Sequence, residues 1–310
     1  MNMSSLYTQI AVMFLLICVG AICYRRKMIT DDGSAQMSSL LMTFVMPCII
    51  IHSFHREFDP SMFGKLIETL VLSAILLLIS IVIATLAFRK DTPDYADKRM
   101  CVIFSNNGFM ALPLLQAVCG EDGVFIGSIN IVATNILIWT YGVWLLTRAS
   151  GRSTSGVNWK KIFLNPGTIG LFIGLLIFMT SFHLPTILDD AISFLSDLNT
   201  PLAMIVLGVY LAQSNLLDVI KDRSVYVVSL FRLVVIPLIA IAMVYFLPFD
   251  HSVSNALVIS IATPCAVASS MFAQMFGTNY HYSSRIIAFS TLLSAISMPV
   301  VLGVYQLLLG

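Results

Sequence analysis

The stretch Val102–Gly120, VIFSNNGFMALPLLQAVCG, has a counterpart in Ile259–Gly277, ISIATPCAVASSMFAQMFG. Both are apolar enough to enter a bilayer, and both carry helix breakers near the middle. In the first these are Asn106, Asn107, Gly108 and Pro113; in the second, Thr263 and Pro264. Proline lacks an N–H and its ring clashes with the preceding turn, so it opens a backbone hydrogen bond. Asparagine side chains can satisfy the groups so freed. One such segment alone reads as a kink, because proline and glycine are common in transmembrane helices. Two at corresponding places in two halves of a chain point instead to a transporter binding site.

The rest of the chain fits that setting. It has 310 residues, 58% hydrophobic and only 11% charged, with a mean hydropathy of +0.92. A soluble domain of this size could not cover so much apolar surface. The apolar residues fall into runs of about 20, the length that spans a bilayer as helix. Ten are legible: 6–24, 35–54, 66–88, 100–118, 124–147, 167–182, 191–212, 225–247, 255–276 and 283–309. The fold class expected is an all-α polytopic membrane protein. The first run reads as a retained helix, since no basic residue precedes it and no small-residue cleavage site follows.

Charge gives the orientation. Of 17 Lys and Arg, 14 fall in the connections after runs one, three, five, seven and nine; only Arg56, Lys65 and Arg232 do not. By the positive-inside rule those loops are cytoplasmic and both termini lie outside. The clustered basic residues therefore fix topology, and no nucleic-acid partner is expected. Six cysteines without a CxxC pair give no disulfide or metal framework, and no metal or other cofactor is expected.

The polar stretch Arg148–Asn165 divides the runs five and five. An odd number per half makes the second half enter from the opposite face, which gives two inverted repeats. The expected division is 1–147 for the first repeat, 148–165 for a cytoplasmic linker and 166–310 for the second. Broken helices four and nine then cross at the midplane, with Gly108, Pro113 and Pro264 as hinge residues. Aligning Gly120 with Gly277 sets Asn107 against Pro264. Unwound backbone at membrane depth must be surrounded by protein or line a cavity. Half-helix N-termini there carry partial positive charge and free N–H donors, which suits an anion such as a carboxylate.

Other polar residues in the spans have two readings each. Asn130 and Asn135 in run five complete the site, or they bond neighbouring helices. Thr263 borders the second break and is the best hydroxyl candidate; Ser269, Ser270, Ser290, Thr291 and Ser294 serve equally as small packing residues. Arg232 either snorkels to the cytoplasmic surface or supplies a counter-charge for the anion. Asp197 is the acid within the spans that a proton-coupled mechanism would use. His52 reads as a capping or interface residue.

At these residues the chain resembles the auxin efflux carrier family, and its bacterial-type members in particular. Asn106 followed by Pro113, Leu114 and Leu115 is similar to the family's Asn-x6-Pro-Leu-Leu signature. Pro47 with His52, Pro264 with Phe272-Ala273, and Leu292-Leu293 before Pro299 match in order. The resemblance implies the fold of the bile acid/sodium symporter-like superfamily. Helices one, two, six and seven would form a scaffold, and helices three to five and eight to ten a mobile transport domain. It also implies a homodimer, elevator-like alternating access and Asn106 as a ligand of the substrate carboxylate. Ser105 stands where plant members have a proline, and the central loop is short, so auxin itself is a poor guess for the substrate.

The expected function is secondary transport of a small organic anion, with Asn106, Asn107, Asn130, Asn135, Thr263 and Pro264 at the site. Coupling to H+ or Na+ is open, and a bacterial inner membrane is the expected location. A channel could use the same broken helices. An intramembrane enzyme is the weakest alternative, because aspartyl proteolysis needs two acids at depth and no HExxH is present. No GxxxxGK[ST] loop supports ATP-driven pumping.

Overall fold

The computed structural model describes residues 3–151, 164, 166–213, 222–247 and 249–309. Most of the expected linker 148–165 lies outside these, as do Arg152, Lys160, Lys161 and Lys221. The described residues are helical, with no strand among them beyond one isolated bridge. In chain order the helices are α1 Met3–Arg25, α2 Asp31–Phe54, α3 Pro60–Ala87, α4 Tyr95–Ile103 and α5 Asn107–Ala149. Then follow α6 Pro166–Thr180, α7 Thr186–Gln213, α8 Arg223–Phe246, α9 His251–Ala262, α10 Val267–Phe276 and α11 Tyr280–Leu309.

Seven of these are long and apolar enough to cross a membrane: α1, α2, α3, α5, α7, α8 and α11. The ten expected runs redistribute for local reasons. Runs four and nine break into α4 with the start of α5, and into α9 with α10. Run five joins the end of run four, because Gly120 (φ 66°, ψ −158°) turns the chain between 107–119 and 121–149 without a loop. That left-handed φ favours glycine, which has no Cβ to clash. Run six is the 15-residue α6.

Prolines explain three of the irregular turns. A widened π turn ends two residues before Pro47 (Leu41–Val45), Pro113 (Asn107–Ala111) and Pro237 (Phe231–Val235). Widening moves the carbonyl that the proline ring would strike, so the helix continues past the proline. Pro113 therefore bends its helix and does not break it. Aspartates cap the helix starts: Asp59, Asp222 and Asp250 accept the backbone N–H of Ser61, Ser224 and Ser252. Each such cap is worth about 0.5–2 kcal/mol.

Packing forms two groups. The second half of α7 lies along α1, and α6 and the first half of α7 lie along α2. The α1–α7 contact is backbone to backbone: a Cβ on Gly20 would sit 2.1 Å from the carbonyl oxygen of Ile205, and one on Gly208 2.0 Å from that of Ile17. In the other group α5 packs on α9 and α3, and α11 on α8 and α10. At one end of the bundle α2 meets α5. Phe54 and Phe125 meet there with ring centroids 4.3 Å apart and planes tilted by 41°, Arg56 pairs with Asp122, and His52 Nε2 lies 3.6 Å from Glu121. Large apolar side chains such as Leu86 (72% exposed), Phe194 (74%) and Ile296 (70%) cover the outside. A bilayer, rather than water, is the solvent that suits them.

Candidate functional site at the paired helix breaks

The two broken segments meet. Phe104 and Thr263 turn the backbone extended after Ile103 and Ala262. Ser105 then pairs with Cys265 in an antiparallel bridge. Two hydrogen bonds hold it: the Asn106 N–H donates to Pro264 O at 2.9 Å, and the Ala266 N–H donates to Phe104 O at 2.9 Å. Cys265 N–H donates to Ser290 Oγ at 3.3 Å. Pro264 has no N–H to leave unpaired, and the residue before a proline is pushed out of helical geometry, so the second break falls where the sequence places it. The first lies upstream of the expected hinges. Gly108 and Pro113 both sit inside α5, and the residue opposite Cys265 is Ser105.

Asn107 has both amide atoms engaged within the protein. Its Oδ1 accepts from Ser105 Oγ at 2.9 Å and its Nδ2 donates to Thr134 Oγ1 at 3.0 Å. That second bond ties the start of α5 to its later half. Thr263 is also committed: its hydroxyl donates to Ser260 O at 2.8 Å. Ser269 donates to Met100 O, Ser270 bonds Ser284, and Thr291 and Ser294 donate back to carbonyls of their own helix. These hydroxyls are all bonded within the protein.

Three polar side chains beside the bridge are buried without a hydrogen-bond partner among the described residues. They are Asn106 through Nδ2, Asn130 through both amide atoms, and Ser260 through Oγ. Their residues are 3%, 1% and 1% exposed. Asn130 shares a face of α5 with Gly127, whose added Cβ would lie 3.9 Å from Ser260 Oγ, and with Thr134, which bonds Asn107. Leaving a buried amide or hydroxyl unpaired costs about 1–3 kcal/mol each. Such orphans at one place mark a spot where water or a ligand supplies the missing bonds. Asn135, next in sequence to Thr134, is half-buried and turned about 100° around the helix. Met46 of α2 closes over this region: a Cβ on Gly108 would lie 2.6 Å from its methyl carbon.

The expected charged residues separate. Arg232 does not snorkel. It is 0% exposed, and its guanidinium donates to backbone carbonyls of both breaks, among them Thr263 O at 3.2 Å and Val102 O at 3.3 Å. Asp197 is not buried: it is exposed at the end of the first half of α7, which packs on α2 away from the breaks. The buried acid is Asp97 in the first turn of α4, 2% exposed. It accepts from Thr278 Oγ1 at 2.8 Å, Ser283 Oγ at 3.0 Å and the Asn279 N–H at 3.4 Å. It went unread because Asp94–Arg99 (DYADKR) looks like a wetted loop, whereas Asp97, Lys98 and Arg99 are all buried at a helix start.

Long apolar helices, an apolar exterior and a paired break with unpartnered amides define a multi-pass membrane transport protein. The chain belongs to the auxin efflux carrier family: the family model described as membrane transport protein matches residues 5–302. Among its relatives, an uncharacterized transporter of Methanothermobacter thermautotrophicus is 26% identical over 96% of this chain and 97% of its own length. One from Methanocaldococcus jannaschii is 21% identical over 91% of each chain. Auxin efflux carrier component 8 of Arabidopsis thaliana is 27% identical over 48% of this chain and 41% of its own length.

Proposed function

We propose that the protein is a secondary transporter of a small organic anion of the carboxylate class, which binds at the paired breaks. The observation that carries this reading is the unpartnered Asn106 amide, buried beside the Ser105–Cys265 bridge with the N-terminal ends of α5 and α10 next to it. A carboxylate offers acceptors for that amide and for the free N–H groups of the helix ends. Asn130 adds a second amide, and Asn135, Thr263 and Pro264 are the other contacts this reading expects.

In this reading the helices form ten spans in two inverted five-helix repeats, with α4/α5 and α9/α10 as the crossing pair. The similar break geometry of both halves supports it. The α1, α2, α6 and α7 group is the scaffold, and the remainder moves as a transport domain in an elevator-type exchange. Homodimerisation through the scaffold, both termini outside and a bacterial inner membrane complete the proposal, with H+ or Na+ as coupling ion. The plant relatives are named for auxin, but Ser105 in place of their proline argues for a smaller carboxylate here.

Counterflow from proteoliposomes loaded with malonate, succinate or indole-3-acetate tests the reading. Exchange of label against an unlabelled gradient for at least one of them is expected. Simple equilibration without overshoot would make the protein a channel, and no flux of any carboxylate would sink the proposal.

A further inference from the structure

Arg232 joins the two breaks. From α8 its Nε donates to Thr263 O at 3.2 Å, its Nη1 to Val102 O at 3.3 Å and Ile103 O at 3.5 Å, and its Nη2 to Ile261 O. Val102 and Ile103 end α4; Ile261 lies in the last turn of α9 and Thr263 directly follows it. One planar guanidinium therefore closes the C-terminal ends of both half-helices, which have no further turn to accept their carbonyls. Among the described residues no carboxylate lies within ion-pair distance of it. A buried cation without an anion is costly unless its hydrogen bonds are met and its field is balanced.

The balance is in the helix ends. Each helix C-terminus carries about half a negative elementary charge and each N-terminus about half a positive one. At the breaks two C-termini and two N-termini converge, and by themselves they sum to about zero. The guanidinium cancels the two C-terminal ends and leaves the N-terminal ends of α5 and α10 unopposed. The pairing of Ser105 with Cys265 holds all four ends at one place.

We propose that Arg232 is a positioning residue that gives the binding site its sign. It sits behind the bridge, bonded to backbone, and makes the site prefer an anion to a neutral molecule of the same shape. It also clamps the two breaks to each other, so that they loosen together or not at all. The preference for anions rests on the transport reading above; the clamp does not.

The test uses purified full-length protein, wild type, Arg232→Met and Arg232→Lys. The probes are malonate against malonamide and indole-3-acetate against indole-3-acetamide, as competitors in counterflow. Arg232→Met is expected to lose at least about tenfold of the carboxylate-over-amide preference through a raised KM, with maximal exchange within about threefold of wild type. Arg232→Lys keeps the charge and is expected to keep most of the preference. A wild-type carboxylate-over-amide ratio in Arg232→Met, or loss of the preference in folded Arg232→Lys, overturns the proposal for the sign.

Amide hydrogen exchange reads the clamp without any substrate. In Arg232→Met, and in Arg232→Lys should the first not fold, exchange over 102–107 and 261–267 is expected to rise together. A rise in one segment alone, or in neither, overturns the clamp. If wild-type protein exchanges no carboxylate, the transport reading and the sign of the site fall together, while the exchange experiment still decides the clamp.

Discussion

Asn106 gives its backbone N–H to Pro264 O at 2.9 Å, while its own side-chain Nδ2 is buried with no hydrogen-bond partner among the described residues. The backbone of Asn106 thus builds the bridge, and in the proposed transport reading its side chain is the part that meets substrate.

That division makes Asn106→Ala an unusual core substitution. It removes no hydrogen bond, so stability should stay within about 0.5 kcal/mol of wild type or rise slightly, since a buried orphan is deleted. Substrate exchange should be lost. Thermal unfolding of detergent-purified protein together with counterflow checks both, and wild-type exchange would remove Asn106 from the site.

Asn107→Ala should behave in the opposite way. It deletes the bonds to Ser105 and Thr134 and leaves their hydroxyls short of a partner in a buried place. A cost of about 1–3 kcal/mol is expected. In a double-mutant cycle with Thr134→Val, the coupling should be about 0.5 kcal/mol or more because the two side chains share one bond. Additive effects would show that this bond does not hold the start of α5.

An elevator-type exchange requires α2 and α5 to slide past each other. Arg56 and Asp122 face each other across that seam. With the native cysteines replaced, Arg56→Cys with Asp122→Cys should be joined by a short bifunctional thiol reagent. Exchange should stop on cross-linking and return on reduction. Undiminished exchange in fully cross-linked protein would rule out sliding at this seam.

The two acids should differ sharply. Asp197→Asn lies on an exposed helix surface and should leave both stability and the pH dependence of uptake unchanged. Asp97→Ala strands three donors, from Thr278, Ser283 and Asn279, and should destabilise by about 1–3 kcal/mol. Equal effects of the two in thermal unfolding would contradict the burial of Asp97.

The apolar runs and the two interrupted segments were legible because bilayer length and helix breakers are local properties of sequence. Pro264 located its own break. In the other segment Pro113 and Gly108 drew attention downstream of the bend at Ser105. A widened turn lets a helix absorb a proline, and that accommodation depends on neighbours rather than composition. Arg232 was visible as a charge in a span, but its direction was not, since its partners are carbonyls more than a hundred residues before it and about thirty after. Asp97 was hidden by the polar residues around it, which sequence alone cannot tell from a loop. Asn106 and Asn107 read alike in sequence, and only the fold separates the amide that is bonded from the one whose Nδ2 has no partner.

The glycine contact between α1 and α7 bears on how the protein is made. Gly20 and Gly208 let two backbones touch, so α1 finds its closest neighbour only after most of the chain has left the ribosome. At about 5–20 residues per second that delay is on the order of ten to forty seconds. Until then α1 stays in the lipid without that neighbour, and its leucine, isoleucine and valine side chains let it do so. A polar substitution at its exposed Leu15 or Ile22 would be felt first in the yield of assembled protein, and only later in its activity.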